Sequence, residues 1–259
     1  MSTATHETTA RGRVRVEPGA KRIRAYLGGE VVADTARPVL VWERPQYPTY
    51  YFPAADTRTE LLEPDGDIVH SPSRGDGRQF TLRAGGKQAE GAALRYEDSP
   101  IEELRGLIRF EWDAIDAWFE EDEEVFTHPR DPYTRVDILP SSRHVRVAVD
   151  GVTVAETTSP RLLFETGLVT RYYIPKPHVR MDLLVPTDTV THCPYKGQAA
   201  YWSVRVGDNL GEDLAWSYRT PLPESQKIAG LVAFYNEQID LEVDGVGQQR
   251  PPGVKQERV

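Results

Sequence analysis

The segment from residue 171 to residue 184, RYYIPKPHVRMDLL, has a counterpart at residues 49–62, TYYFPAADTRTELL. The tyrosine pair, the next proline and the arginine after it stand at the same offsets in both. With a shift of 122, the match extends over residues 13–96 and 135–218 without a gap. It contains 26 identities in 84 positions, where chance gives about five for ordinary composition. The chain is therefore a duplication, and a repeat of this length is typical of a domain rather than a solenoid unit.

The duplication predicts the organisation of the chain. We expect a polar tail over residues 1–12, a first repeat domain over 13–125 and a second over 135–246. Residues 126–134 form a proline-containing linker between them, and residues 247–259 form a second polar tail.

Composition places limits on the class of protein. Of 259 residues, 39% are hydrophobic and 9% aromatic, which excludes disorder throughout. No apolar run approaches the roughly 20 residues of a membrane helix, and the first ten residues lack the apolar core of a secretory signal. A formal net charge of −9 argues against nucleic acid as a partner. We expect a cytoplasmic protein with neither a membrane nor a nucleic-acid partner.

Most of each copy alternates apolar and polar residues with period two, which is typical of half-buried strands. Asp150-Gly151 and Gly28-Gly29 lie between such runs and predict two-residue hairpin turns. Further predicted strands cover residues 117–119, 161–165, 170–174, 201–206, 213–218 and 241–243.

A helical spacing of apolar residues near the end of each copy predicts one late α-helix per domain. In the first copy Ser99 fits an N-cap, Pro100 fits the first helical position and Glu102 fits a capping box. Residues 223–238 are the equivalent segment of the second copy. The predicted fold is mainly β (α+β), with two small homologous β-sheet domains that each carry one helix.

Six runs of the second copy occur together in a recognisable order. They are YYIP (172–175), VRMDLL (179–184), THCPYKG (191–197), AYWSV (200–204), AWSY (215–218) and IAGLVAFY (228–235). In these runs the chain resembles the bacterial family catalogued as domain of unknown function 427, here in tandem over about residues 13–246. The resemblance implies a β-tent-like fold, with two small antiparallel sheets meeting at an angle, in a class that includes ligand-binding and zinc-binding modules.

The same family carries a nucleotidyltransferase label. Such enzymes need paired carboxylates that hold Mg²⁺ beside a phosphate-cradling Gly/Ser element, and we find no such spacing in the sequence. Zinc members of the β-tent class use two cysteine pairs, whereas this chain has only Cys193. We therefore expect no metal, no other cofactor and no intramolecular disulfide.

Residues that distinguish the second copy from the first favour a site in the second. Five positions carry different residue types in the two copies. The second copy has Cys193, Tyr195, Tyr201, Trp202 and Trp216 where the first copy has, in the same order, Ser71, Ser73, Gln79, Phe80 and Leu94. If Trp202 and Trp216 share a face, they form an aromatic cage for a cation, an amide or a flat ring. The alternatives are that these aromatic residues are core, and that the first copy has repacked its own core or its interface with the second.

The charged candidates have two interpretations each. Lys196 lies on a predicted turn whose backbone amides receive an anion, or it is a solvated turn lysine. Arg180, like Arg58 in the first copy, forms a structural ion pair with Glu165 (Glu43 in the first copy) or contacts substrate.

Cys193 is a candidate nucleophile, since a thiolate needs a nearby base or positive charge. The adjacent His192 points to the opposite strand face and is badly placed for this role. His178 is a remote alternative base, and a small buried apolar residue is the simpler interpretation of Cys193. The five acids of residues 120–124 are a solvated edge or inter-domain loop, or they gather cations.

The first hypothesis is a non-catalytic module whose second repeat binds a small organic molecule in an aromatic pocket. The ligand-binding residues predicted for it are Trp202, Trp216, Tyr195, Lys196, Tyr201, Arg180, Tyr172 and His192. One alternative is an enzyme that acts on a small metabolite or nucleotide through Cys193 or Lys196. Another is a structural or protein-interaction module without a ligand. In each case we expect the two repeats to pack on each other.

Overall fold

The computed structural model describes residues 14–252. The predicted tail over residues 1–12 and the last part of the predicted C-terminal tail, residues 253–259, lie outside the described residues. The chain divides into two compact units between Asp131 and Pro132, here called domain 1 and domain 2. Strands make up 54% of the structure and helical turns 10%, so the prediction of a mainly β protein with two tandem domains is confirmed. Across residues 14–252, no helix is long and apolar enough to span a membrane.

Domain 1 is built from antiparallel strands. They are β1 (Arg15–Pro18), β2 (Ile23–Leu27), β3 (Glu30–Thr35), β4 (Val39–Trp42), β5 (Thr49–Pro53), β6 (Leu62–Ser71), β7 (Gly75–Ala84), β8 (Lys87–Arg95), β9 (Leu107–Phe110), β10 (Ala117–Glu120) and β11 (Glu123–Val125). Short 3₁₀ turns cover Ala54–Asp56, Thr59–Leu61, Glu102–Leu104 and Trp112–Ala114. The strands form a seven-stranded sheet in the order β1-β4-β5-β9-β8-β7-β6 and a four-stranded sheet in the order β11-β10-β2-β3.

The long sheet of domain 1 has apolar side chains on both faces. Because successive residues of a strand point to opposite faces, Tyr51 and Phe52 enter different clusters. Phe52 lies in the core between the two sheets, together with Ile23 and Trp118 of the four-stranded sheet. Tyr51 lies on the other face, here called the outer face, in a smaller cluster with Tyr96.

Domain 2 repeats this architecture with one interruption. Its strands are β12 (Val136–Pro140), β13 (Val145–Val149), β14 (Val152–Thr157), β15 (Arg161–Glu165), β16 (Arg171–Tyr173), β17 (Leu184–Cys193), β18 (Gly197–Val206), β19 (Asn209–Tyr218), β20 (Ala233–Phe234), β21 (Asp240–Val243) and β22 (Val246–Gly247). Its 3₁₀ turns are Lys176–His178, Met181–Leu183 and Pro223–Ile228. The sheets have the orders β12-β15-β16, β14-β13-β21-β22 and β17-β18-β19-β20.

The long sheet of domain 1 thus corresponds to two sheets in domain 2. In domain 1, β5 and β9 form a continuous ladder. In domain 2 the equivalent connection is a single bridge, in which Ile174 and Val232 exchange backbone hydrogen bonds of 2.7 and 2.9 Å. The two apolar clusters persist: one includes Val147, Trp202 and Phe234, and the other lies on the outer face with Tyr173, Tyr218 and Trp216.

Both predicted hairpins are confirmed. Asp150 and Gly151 join β13 to β14 with φ angles of 48° and 78°. Gly28 and Gly29 join β2 to β3 with φ angles of 59° and 78°. Positive φ at both central residues defines the hairpin turn whose twist matches the flanking strands.

The predicted late α-helices are wrong. In domain 1 the segment forms the 3₁₀ turn Glu102–Leu104 and then β9, and in domain 2 it forms the 3₁₀ turn Pro223–Ile228. The Ser99 hydroxyl accepts the N–H of Ile101 at 3.1 Å, but Ile101 is the N-cap of the 3₁₀ turn, which has no side-chain cap hydrogen bond. The turn ends at Gly106, whose φ of 77° is incompatible with a helix. The apolar residues beyond it are then held in the sheet by pairing with β5 and β8.

Substitution of two equivalent glycines, one in each domain, tests how closely two hairpins of domain 1 approach each other. Gly85 and Gly207 both have positive φ, 54° and 58°. A Cβ on Gly85 would lie 2.0 Å from the carbonyl oxygen of Gly28, whereas nothing lies within 4 Å of one on Gly207. We expect Gly85→Ala to destabilise the protein by about 1–3 kcal/mol more than Gly207→Ala, because overpacking adds to the backbone strain that both share. Calorimetric unfolding of the full chain measures the difference, and equal losses would contradict the close approach.

Candidate functional site

Five polar side chains meet on the outer face of domain 2. They are Glu165, Tyr173, Cys193, Lys196 and Tyr218, here called the Glu–Lys–Cys cluster. Four of them are the last residues of β15, β16, β17 and β19, and Lys196 is the last residue of the turn before β18. The cluster therefore depends on where strands end.

Strand register explains why these side chains share a face. Tyr173 is paired with Arg161, and residues at even offsets along a strand point to the same side, so Glu165 and Tyr173 lie on one face. By the same rule, Cys193 opposite Gly197 and Tyr218 opposite Ala199 share a face of the neighbouring sheet.

Lys196 and Glu165 form a buried ion pair. The Lys196 ammonium donates to Oε2 of Glu165, and the two side chains are only 10% and 8% exposed. The turn is held by a hydrogen bond of 3.1 Å from the N–H of Leu222 to the Lys196 carbonyl, and Gly197 adopts a φ of 92°. The interpretation of Lys196 as a solvated turn lysine is therefore wrong.

The environment of Lys196 decides its protonation. Burial alone lowers the pKa of Lys196, but the neighbouring side chains of Cys193 and Glu165 raise it by more, so that the pKa lies above its ordinary value. Lys196 is consequently an ammonium at neutral pH. It acts as a hydrogen-bond donor and a positive charge, and neither as a base nor as an amine nucleophile.

Tyr218 brings a second donor into the cluster. Its side chain is 5% exposed, and its hydroxyl makes no hydrogen bond to any other described residue. Burial raises the pKa of Tyr218 well above its ordinary value, and the nearby Tyr173, Cys193 and Glu165 contribute to this. The phenol therefore stays neutral, with its O–H free to donate.

Aromatic side chains continue from the cluster across the outer face. The indole N–H of Trp216 donates to the Tyr173 hydroxyl at 3.2 Å, and their rings meet edge to face with centroids 6.3 Å apart. The Tyr201 hydroxyl lies 2.8 Å from Thr191 Oγ1 and 3.3 Å from the Tyr235 hydroxyl. The outer face thus combines apolar area with a hydrogen-bonded network.

Domain 1 carries an equivalent cluster in which more side chains surround the carboxylate, although Nε of Arg109 is buried without a hydrogen-bond partner. The Tyr51 hydroxyl donates to Glu43 at 2.6 Å, Arg74 forms an ion pair with the same carboxylate, and Arg109 lies 3.1 Å from it. The Ser71 hydroxyl accepts a hydrogen bond of 3.1 Å from Arg74. Three groups therefore surround Glu43, whereas Glu165 has Lys196 as its one side-chain partner within residues 14–252.

The predicted cage of Trp202 and Trp216 does not form. Trp202 is paired with Ala215 and Trp216 with Tyr201, so the two indoles point to opposite faces of the sheet. Trp202 lies in the core between sheets, with the ammonium of Lys176 5.7 Å from its ring centroid. Only Trp216 belongs to the outer face.

The predicted ion pairs of Arg180 with Glu165 and of Arg58 with Glu43 are also wrong. Arg180 is exposed and pairs with Asp182 at 2.6 Å rather than with Glu165. Arg58 in domain 1 pairs with Glu30 at 3.0 Å. Both arginines lie at the start of a 3₁₀ turn, where the nearest carboxylates are on the surface.

The two other predicted tyrosines lie outside the cluster. Tyr172 points away from Tyr173 and packs partly buried against the core between the sheets. It also lines a cavity of about 180 Å³ with Thr170 and Asn236. Tyr195 is half-buried in the turn before β18, where its carbonyl accepts a hydrogen bond from Ser225 at 3.1 Å.

Neither histidine considered as a partner for Cys193 is beside it. His192 is exposed and, as expected from strand alternation, lies on the opposite face. His178 is hydrogen-bonded to Thr157 at 2.6 Å. Cys193 itself is partly exposed and adjoins the ammonium of Lys196, so it is not a buried apolar residue.

The acidic run at residues 120–124 forms the hairpin between β10 and β11. Its last four acids are exposed, as a solvated edge predicts, but Glu120 is buried. Glu120 accepts the Tyr50 hydroxyl and the Lys21 ammonium, each at 2.5 Å. One acid of the run is therefore structural.

Sequence reasoning missed three members of the cluster, Glu165, Tyr173 and Tyr218. All three have the same residue type at the equivalent position of the first copy. That retention is consistent with a framework role, but in a buried position a retained carboxylate or phenol also needs polar partners. The signal in the sequence is therefore the carboxylate and the two phenols that both copies retain.

Two tandem antiparallel β domains, each with a carboxylate and a cation buried on the outer face, define a duplicated β-sheet protein. The family model described as a domain of unknown function (DUF427) matches residues 15–121 and again residues 137–245. The chain therefore belongs to this family, as a tandem copy. No curated protein matches the sequence.

The buried ion pair makes a prediction about stability. Lys196→Met leaves the Glu165 carboxylate buried without its cation, and we expect domain 2 to lose about 3–5 kcal/mol of stability. Arg180→Met is the matched control, because it removes an exposed pair and leaves the melting temperature nearly unchanged. Calorimetry of the full chain tests both. A Lys196→Met protein that melts like the wild type would show that the pair is not buried.

The tyrosines make a prediction about alkaline pH. Burial is the main cause that raises the pKa of Tyr50, Tyr51, Tyr173, Tyr218 and Tyr235. Because their folded pKa is raised, these phenols keep their protons at pH about 11 while free tyrosines ionise. We expect tyrosinate absorbance at that pH to account for clearly fewer than the 12 tyrosines, and the remainder to appear on adding denaturant. The native state then holds more protons, so stability falls above pH about 10. Ionisation of all 12 in the folded protein would contradict the burial.

Proposed function

We propose that domain 2 is a small-molecule-binding module whose site is the Glu–Lys–Cys cluster. The observation that carries the proposal is the Lys196–Glu165 ion pair, which is buried on the outer face beside the partly exposed Cys193. The Tyr218 hydroxyl makes no hydrogen bond to another described residue and is not one of the buried atoms without a partner. A ligand oxygen placed there would accept its hydrogen bond.

Lys196 supplies hydrogen-bond donors at this position. The Lys196 ammonium has three N–H groups; Glu165 takes one, and Cys193 interacts with another. A third N–H of Lys196 and the Tyr218 O–H are donors of the cluster that make no hydrogen bond to a described residue. Both favour a ligand with an accepting oxygen, such as a carboxylate, an amide or an ester.

The cluster reaches the surface through Cys193, which is partly exposed. Domain 1 does not offer the same opportunity, because Arg74 and Arg109 both lie against Glu43 and Ser71 is bonded to Arg74. This difference supports a site in domain 2 rather than two equivalent sites.

The aromatic part of the proposed site is the outer face and excludes Trp202. Trp216 and Tyr201 extend the apolar area beside Tyr173, where a flat or aliphatic part of a ligand packs. The proposed contacts are therefore polar at Lys196 and Tyr218 and apolar at Trp216.

A thermal-shift screen of the full chain tests this function. The probes are acetate, N-acetylglycine, acetamide and methyl acetate, with tetramethylammonium as a cation that the donors should reject. A ligand at 100 times its Kd adds about 2.7 kcal/mol. We expect the accepting probes to raise the melting temperature and the cation to leave it unchanged.

Two matched variants locate the site. Tyr218→Phe removes only the unpartnered hydroxyl, so the protein should stay folded while affinity falls about tenfold, the equivalent of one hydrogen bond. Tyr96→Phe makes the same change at the equivalent position of domain 1 and should keep full affinity. Equal losses in both variants, or a screen without any stabilising probe, would reject the proposal.

A further inference from the structure

Domain 1 contains a cavity between the hairpin of β10 and β11 and the 3₁₀ turn that precedes it. The cavity has a volume of about 260 Å³. Trp112 and Asp113 of the turn line it together with Trp118 of β10 and Val125 of β11. Because drug-sized ligands occupy cavities of about 300–1,000 Å³, this one suits a smaller molecule.

A cavity recurs at the equivalent place in domain 2. The repeat alignment and the strand register place Asn236 and Leu241 where domain 1 has Trp112 and Trp118. Both residues line the cavity of about 180 Å³ in domain 2. The cavity is therefore a feature of the duplicated fold, and its chemistry differs between the copies. Domain 1 presents two indoles where domain 2 presents an amide and an aliphatic side chain.

The two indoles form a flat aromatic surface. The rings of Trp112 and Trp118 are stacked, with centroids 4.8 Å apart and an angle of 3° between their planes. Trp118 is buried, and its indole N–H donates to the Trp112 carbonyl at 3.0 Å, which fixes the stack. Trp112 is only partly buried. A cation, and a flat one above all, is attracted to such a ring.

This tryptophan pair lacks the cation that every other tryptophan of the chain has. Each of the other three has a guanidinium or ammonium over its ring: Arg15 over Trp42, Lys176 over Trp202 and Arg171 over Trp216. Within residues 14–252, no arginine or lysine lies over the ring of Trp112 or Trp118. The chain itself therefore does not fill this position with a positive charge.

Asp113 supplies a carboxylate at the same cavity. It is exposed and makes no ion pair or hydrogen bond to another described residue. Asp116 also lines the cavity, but it is already bonded to the Lys87 ammonium at 2.8 Å. Glu124 is next to the buried Val125 on β11, so its carboxylate points to the opposite face of the strand. Asp113 is thus the carboxylate of this lining that is available to a ligand.

In domain 2 the equivalent carboxylate binds a guanidinium. The residue equivalent to Asp113 is Glu237, which accepts hydrogen bonds of 2.7 and 2.8 Å from Arg171. The same guanidinium lies 5.5 Å from the ring centroid of Trp216. The residue equivalent to Arg171 in domain 1 is Thr49. Domain 1 therefore keeps a carboxylate at this turn position but has no arginine for it.

We propose that the cavity of domain 1 binds a small organic cation with a flat, N–H-bearing head group of the guanidinium or amidinium class. The head group stacks on Trp112 and donates hydrogen bonds to Asp113. A guanidinium fits both partners, because it is planar, stacks on aromatic rings and pairs with a carboxylate through two N–H groups. This site lies in the other domain from the Glu–Lys–Cys cluster and does not depend on it.

The test titrates the full chain with three small probes by calorimetry. Methylguanidinium is flat and charged and carries N–H groups, whereas N-methylurea has nearly the same shape without the charge. Tetramethylammonium has the charge without the plane or the N–H groups. We expect methylguanidinium to bind and the other two to bind at least about tenfold more weakly, since each loses one of the two contacts.

Nuclear magnetic resonance of the indole N–H groups locates the bound probe. The Trp112 signal is identified by its absence from the spectrum of Trp112→Phe. We expect methylguanidinium to shift this signal, and N-methylurea at the same concentration to leave it in place.

Two matched variants test the carboxylate. Asp113→Asn should weaken methylguanidinium binding about tenfold, the equivalent of one hydrogen bond to a charged group. Because Asp113 is exposed, the variant should melt like the wild type. Glu103→Gln removes a negative charge from another exposed turn of domain 1 and should keep full affinity.

A fourth probe distinguishes two sources of the same head group. N-acetylarginine N-methylamide presents the guanidinium as an arginine side chain within a polypeptide. Tighter binding than methylguanidinium assigns the site to such a side chain, and weaker binding assigns it to a free small molecule.

Three results would overturn the proposal. They are equal affinity for methylguanidinium and N-methylurea, undiminished affinity in Asp113→Asn, and a shift of other indole signals with that of Trp112 unmoved. None of these results bears on the ligand proposed for domain 2, because that ligand is an acceptor and is tested through Tyr218→Phe.

Discussion

A carboxylate buried on the face of a sheet needs a cation beside it, because an isolated buried charge costs several kcal/mol. Both domains meet this constraint from the same turn, with Arg74 against Glu43 and Lys196 against Glu165. The turn must bring a long side chain back across the strand ends, and the left-handed glycine that follows it, Gly197 in domain 2, allows this.

The two copies have diverged around this shared pair. Domain 1 places a second guanidinium, Arg109, near its carboxylate and a bonded serine beside it, so that its charges are balanced within the protein. In domain 2, the residue equivalent to Arg109 is Ala233, which has no charge. Trp216 lies in the same cluster of the outer face as Ala233. The same backbone frame therefore supports two different sets of charged partners around the buried carboxylate.

Local sequence patterns were sufficient for the hairpins and most strands, because two-residue periodicity and Asp-Gly or Gly-Gly turns depend on neighbouring residues alone. They failed for the late helices. The Ser99 hydroxyl does bond to Ile101, but it does not cap the turn that forms, and the residues after Gly106 pair in the sheet. Local patterns failed again for Trp202 and Trp216, which lie on neighbouring strands. Without the register between these strands, the sequence does not say whether the two indoles lie on the same face, because a shift of one residue moves a side chain to the other face.

By itself, the sequence determined the duplication and the mainly β class, since both rest on residue identity and spacing along the chain. The pairing of charges was decided only by the tertiary structure: Lys196 rather than Arg180 meets Glu165. Both cations are available in the sequence, and the choice depends on which strand ends converge on the outer face. Long-range geometry of this kind is set by register and turn conformation, and it has no local signature.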